Sequence, residues 1–92
     1  MYQITPYTYK QSRKLKVTVK PSTNKTKKID VYNRKGHKVA SVGAYGMMDY
    51  PTYIKHEGKK YAQTRRRLYK IRHNKDRKEK GTAGWYADKL LW

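Results

Sequence analysis

Lysine and arginine outnumber aspartate and glutamate by 24 to 6, so any fold this chain adopts must hold a net charge of +18 within 92 residues. Self-repulsion on that scale opposes compaction, and the usual relief is a partner of opposite sign. Nucleic acid is the commonest such partner. High charge with low hydrophobicity is also the signature of disorder. Ten Tyr and two Trp, however, are more than disordered basic tails carry, and a folded core is expected. The cations are not confined to a tail. Residues 1–46 hold 11 basic residues and 1 acid, and residues 47–92 hold 13 and 5. Both halves are expected to meet the partner.

A chain of 92 residues makes one domain at most and buries a modest share of its surface. Cysteine is absent, which excludes disulfides and thiolate zinc sites. No apolar run approaches the roughly 20 residues that span a bilayer, and the first residues, Met-Tyr-Gln-Ile-Thr-Pro, lack a signal-peptide core. A soluble protein made in a reducing compartment is expected.

Residues 1–11 alternate Tyr, Ile and Thr around Pro6 and read as an extended arm or edge strand preceding a single domain over 12–92. From Arg13 to Lys20, Leu15, Val17 and Val19 alternate with Lys14, Lys16, Thr18 and Lys20, the pattern of a half-buried strand with a basic outer face. Pro21 to Asn24 supplies a turn. Lys28–Tyr32, with Ile29 and Val31 inward, and Lys38–Val42 make two further strands around a loop with Gly36 in the left-handed position. The glycines and Pro51 break the pattern, and Asp49 is placed to cap a short turn over 51–55 that Gly58 ends.

Residues 59–80 are predicted to be one helix that Gly81 and Gly84 terminate. Its apolar stripe is Tyr61, Thr64, Leu68 and Ile71, with Ala62 and Tyr69 at its flank and Lys59, Arg66, Lys70 and Arg77 opposite. The last eight residues, 85–92, are too apolar for a free tail and are expected to pack on the sheet. The fold class is therefore α+β: a three- to four-stranded antiparallel sheet, one long basic helix and a C-terminal aromatic anchor.

Residues 59–80 carry 11 cations and 2 acids, too few acids to neutralise the helix through local pairs. Lys59, Arg66, Lys70 and Arg77, with Lys14, Lys16 and Lys20 on the strand face, are the candidate ligands for nucleic acid or an acidic protein surface. Tyr45, Tyr50 and Tyr53, in the glycine–proline segment, are candidate interface aromatics. Arg65 and Arg72 fall inside the apolar arc and need partners there: Asp76 for Arg72, and Asp49 or Asp88 for Arg65. They are expected to be structural clamps. His37, His56 and His73 lack ligand spacing, the six acids are scattered, and no phosphate-cradling loop is present. No catalytic residue, metal, cofactor or small-molecule substrate is expected.

The blocks Asp49-Tyr50-Pro51-Thr52-Tyr53-Ile54, Arg65 to His73 (RRRLYKIRH) and Trp85 to Trp92 (WYADKLLW) resemble a family of small basic proteins of large nucleocytoplasmic DNA viruses, including algal and amoebal giant viruses. The resemblance covers about the C-terminal half plus the preceding hairpin; the family is of uncharacterised function, and a viral origin implies a virion component. Such a protein would be a minor capsid or internal structural protein, located in the virion and, before assembly, in host cytoplasm or nucleus. It would be fixed by genome, DNA in the first instance, or by acidic capsid faces. The alternative is a nucleic-acid-binding module of a packaging, regulatory or ribonucleoprotein kind.

Overall fold

Thr5 and Pro6 open a helix, not an extended arm. The structure, a computed structural model, describes residues 2–92, and its first element is α1, Pro6–Leu15. Thr5 is extended and its hydroxyl accepts the Thr8 N–H at 3.3 Å, while Pro6 lacks only an N–H that the first turn leaves unpaired anyway. The side α1 turns inward carries Thr8 and Ser12, both buried, and Thr8 Oγ1 donates to the Leu90 carbonyl at 2.9 Å. A helix whose inward positions are hydroxyls shows no apolar period, which is why the alternating tyrosines suggested a strand. No domain boundary falls at residue 12, because α1 runs through it.

Helix α1 ends at Lys16, left-handed at φ 60°. The Lys16 N–H bonds the Arg13 carbonyl and the Val17 N–H the Ser12 carbonyl, at 3.2 and 3.0 Å, a Schellman closure that usually falls to glycine. Strand β1 is thus only Thr18–Pro21, and the expected basic face of Lys14, Lys16 and Lys20 does not exist. Lys14 lies in the last turn of α1, Lys16 is its cap, and Lys20 alone is in the strand.

The three-stranded meander is as the alternation predicts. Strands β1, β2 (Lys27–Tyr32) and β3 (Lys38–Ala44) pair antiparallel in sequence order. Val19 faces Val31, Val31 faces Ala40, and Ile29 faces Val42, so one face of the sheet is apolar. Gly36 turns the β2–β3 loop at φ 84°. After β3 come α2 (Tyr50–Glu57), α3 (Lys59–Arg72), a 3₁₀ turn (Asp76–Lys78) and α4 (Ala83–Leu91).

The expected anchor is α4, capped by Thr82. It buries Leu90 and Leu91 with Ile4, Val19, Ile29, Val31 and Val42 in the principal core. Gly43 permits the close approach: a Cβ there would stand 2.8 Å from Leu91 Cδ1. The sheet is therefore covered by α1 and α4, and the α2–α3 hairpin is a second unit joined to it by specific contacts.

A β-carbon in the left-handed region costs about 1–2 kcal/mol. Lys16→Gly is therefore expected to raise stability by about 0.5–1 kcal/mol, after the entropy glycine adds to the unfolded chain. Chemical denaturation checks this; a loss of stability would show that the Lys16 side chain contributes contacts the cap conceals.

Candidate polyanion interface

The α2–α3 hairpin begins at Asp49, which caps α2 as expected. Its Oδ1 accepts the Thr52 N–H at 3.1 Å and the Thr52 hydroxyl at 2.6 Å; its Oδ2 accepts the Tyr2 hydroxyl at 2.7 Å and Lys28 Nζ at 3.0 Å. Burial opposes the charge on Asp49, but the Thr52, Tyr2 and Lys28 donors outweigh it and hold the carboxyl below its ordinary range. Burial, with Asp49 beside it, pushes the Tyr2 phenol upward.

Helix α3 is rotated relative to the expected stripe. Its buried residues are Ala62 and Tyr69, whereas Tyr61, Leu68 and Ile71 are 47, 44 and 66% exposed. Aromatic packing decides the rotation. The Tyr69 ring stacks on Trp92 at 4.3 Å and 7° and on His73 at 4.4 Å, and the Arg66 guanidinium lies 4.8 Å over Tyr50. Burial also raises the Tyr69 phenol, with nearby Asp88 and Asp76 adding to it, to about 12.

The helix ends at Arg72, well short of Lys80, and neither Gly81 nor Gly84 is its stop. Arg77 folds back from the 3₁₀ turn: its Nε donates to the Lys70 carbonyl at 3.1 Å and its Nη2 to Asn74 Oδ1 at 3.3 Å. The loop is pinned where Gly84 packs on Asp76, since a Cβ there would stand 3.0 Å from the Asp76 Cβ.

These placements redistribute the predicted roles. Arg65 does not pair with Asp49 or Asp88; its guanidinium lies 5.5 Å over the Tyr53 ring. Arg72 is exposed, and Asp76 stands 3.7 Å from His73 Nδ1. The residues that tie α3 down are two of the predicted ligands. Arg66 packs on Tyr50, and Lys70 donates to buried Asp88 at 2.7 Å. Of the three candidate interface tyrosines, Tyr50 is buried against Tyr7 at 5.6 Å. Tyr53 is half-buried beside Tyr61 and Trp92, and Tyr45 is exposed.

Charge is sorted between inside and outside. Asp30, Asp49 and Asp88 are buried, while Lys28 is the one buried cation among the described residues. Asp30 accepts both Ser22 Oγ and Ser41 Oγ at 2.6 Å, with Lys38 Nζ 4.0 Å away. Burial works against its ionisation, yet the two serines, the Thr23 N–H and Lys38 prevail and keep its pKa low. The three acids left outside, Glu57, Asp76 and Glu79, face a surface that carries nearly all the cations.

Four of those cations share one open groove of about 630 Å³ along α3 and the following turn: Arg66, Arg67, Lys70 and Arg77, with the amides of Gln63 and Asn74. Arg66, Lys70 and Arg77 were expected together on one face and are so placed; Arg67 was missed because the expected rotation put it off that face. Lys59, at the first residue of α3, does not line the groove, and Lys14, Lys16 and Lys20 lie on other elements. Among the described residues no cluster of His, Asp and Glu could hold a metal ion, and no helix is long and apolar enough to cross a membrane.

The chain matches no protein-family model, no curated protein and no solved structure.

The pKa shifts set the pH range of stability. Asp30 and Asp49 titrate below their ordinary 3.8 when folded, so the stability they confer is complete above that value and is lost as pH falls through the folded pKa. Tyr69, raised from 10.0 to about 12, confers stability that is complete below 10 and lost as pH rises toward 12. Thermal melts should show a plateau bounded by these two limbs, and Asp49→Asn should shorten the acid limb. A melting temperature unchanged from pH 5 to pH 2.5 would contradict the assignment.

Proposed function

We propose that the protein is a non-enzymatic binder of polyanions that grips phosphates, those of nucleic acid in the first instance, in the α3 groove. Set beside the resemblance of residues 43–92 to small basic viral proteins, this reading makes it a structural component of a virion, held against the genome or an acidic capsid face.

The observation that carries the proposal is that the groove cations are positioned before any ligand arrives. Arg77 is held by the Lys70 carbonyl and Asn74, Lys70 by Asp88, and Arg66 by the Tyr50 ring. The Arg66 Nε is buried without a hydrogen-bond partner. Guanidinium forks fit phosphate oxygens in pairs, and side chains already fixed lose less entropy on binding. Arg67 adds an exposed charge at the rim. The buried carboxylates support a binding role over catalysis, because hydrogen bonds and ion pairs within the fold already occupy Asp30, Asp49 and Asp88.

Fluorescence anisotropy on duplex DNA between about 50 and 200 mM salt tests the proposal. The slope of log affinity on log salt should fall by about one for Arg67→Gln and again for Arg77→Gln, at roughly 0.9 per phosphate contact. The hairpin-loop pair Arg34→Gln, Lys35→Gln should leave the slope in place. Lys70→Gln behaves differently, because it strands a carboxylate 3% exposed. With Lys89 3.8 Å away as partial compensation, the loss of stability should be about 2–3 kcal/mol, below that of a fully buried pair. If the hairpin-loop variant lowers the slope as much as the groove variants, binding is diffuse and the groove is not the site.

A second reading, an acidic protein as partner, is favoured by one observation: Tyr61 and Leu68 are exposed outside the groove and Ile71 in its lining, and a phosphate backbone offers nothing to cover them.

A further inference from the structure

The exposed stripe of α3 has a regular spacing. Tyr61, Thr64, Leu68 and Ile71 fall at i, i+3, i+7 and i+10, the a and d positions of two successive heptads. In that register Lys60 and Arg67 occupy the g positions and Arg65 and Arg72 the e positions, so every flanking position is a cation. Lys60, Arg67 and Arg72 are exposed, while Arg65 leans on Tyr53. The opposite side of the same helix is spent on Ala62, Tyr69 and the Trp92 stack. Helix α3 therefore has one face that builds the fold and a second that has the form of a coiled-coil seam.

We infer that this seam is a docking site for one helix of an acidic protein partner, with apolar residues at its own a and d positions and Asp or Glu at e and g. Charge selects the occupant. Two copies of this chain paired through the seam would set cation against cation in either orientation, parallel or antiparallel, because e and g are all basic. A helix with acidic flanks meets Lys60, Arg65, Arg67 and Arg72 with the opposite sign on both sides while its stripe covers Leu68 and Ile71. Thr64, whose hydroxyl turns back to the Lys60 carbonyl at 3.3 Å, is the one polar residue in the seam and limits its strength. The partner needs about 14 residues of helix, or roughly 21 Å, to match α3. The site shares Arg67 and Ile71 with the phosphate groove, but Thr64 and Leu68, where it is tested, do not line the groove, so its test does not depend on nucleic-acid binding.

The test uses the full chain and a labelled synthetic peptide of three heptads with Leu at a and d and Glu at e and g. A peptide of the same composition in scrambled order serves as control. The ordered peptide should bind at least tenfold more tightly than the scrambled one. Two substitutions that leave net charge unchanged should act in opposite directions: Leu68→Gln should weaken binding roughly tenfold or more, and Thr64→Leu should tighten it several-fold. Both positions are exposed, so circular dichroism and duplex-DNA affinity should be unaltered. Equal binding of the scrambled peptide would reduce the site to net charge and overturn the inference. So would a dimer of this chain, seen by sedimentation, that Leu68→Gln dissociates, since the occupant would then be a second copy. Leu68-dependent binding to phosphatidylserine vesicles without peptide binding would overturn it in favour of a lipid surface.

Discussion

The carboxylate of Asp49 is the joint of the molecule. It caps α2 through Thr52, accepts Tyr2 from the N-terminal segment, and pairs with Lys28 of β2. One buried anion thus fixes the helical hairpin to the sheet and the chain start to both. An anion 1% exposed is tolerable only because its oxygens are fully engaged. Asp88 plays the corresponding part at the other end of the hairpin, where it draws Lys70 of α3 onto α4, and Asp30 knits Ser22 and Ser41 across the sheet. Asp49 and Asp88 join elements distant in sequence, and each acid taken inside is one fewer outside. The fold thereby concentrates the chain's positive excess on its surface, where a partner can reach it.

What the sequence revealed follows from what a side-chain pattern encodes. A period of two with a loop glycine determined β2 and β3, because one face of a meander must be apolar throughout. Asp49 before Tyr50-Pro51 signalled a cap through chemistry local to four residues, and the terminal Leu90-Leu91-Trp92 could only be buried. Helix α1 was hidden because Thr8 and Ser12 are its inward residues, so burial there leaves no apolar trace. The period of α3 was correct and its rotation was not. A helical wheel counts Arg66 as polar, yet its guanidinium packs flat on Tyr50, and the Trp92 ring that draws Tyr69 inward lies 23 positions along the chain. The same error separated site from scaffold wrongly. The wheel makes clamps of Arg65 and Arg72 and free ligands of Arg66 and Lys70, whereas Arg66 and Lys70 tie the helix down and Arg67 lines the groove.

Helix α3 consequently has three working surfaces on 14 residues: a packed side, a cationic groove that continues into the Arg77 turn, and an apolar seam between cations. The last two underlie the proposed roles, phosphate binding and docking of an acidic helix. Because they meet at Arg67 and Ile71, a protein with both would hold a polyanion and an acidic protein side by side. The scaffold contributes by immobilising the groove cations in advance through contacts that also stabilise the fold.

The account turns on the groove being a defined site on a surface that is basic almost everywhere. Amide chemical-shift mapping of the full chain during titration with a short DNA duplex, at a salt concentration where weak contacts are screened, examines this directly. The account predicts that the largest changes fall on Gln63, Arg66, Arg67, Lys70, Asn74 and Arg77, the polar residues lining the groove. Changes of equal size at Lys14, Lys20, Arg34 and Lys35 would contradict it, and would show that the duplex responds to net charge alone.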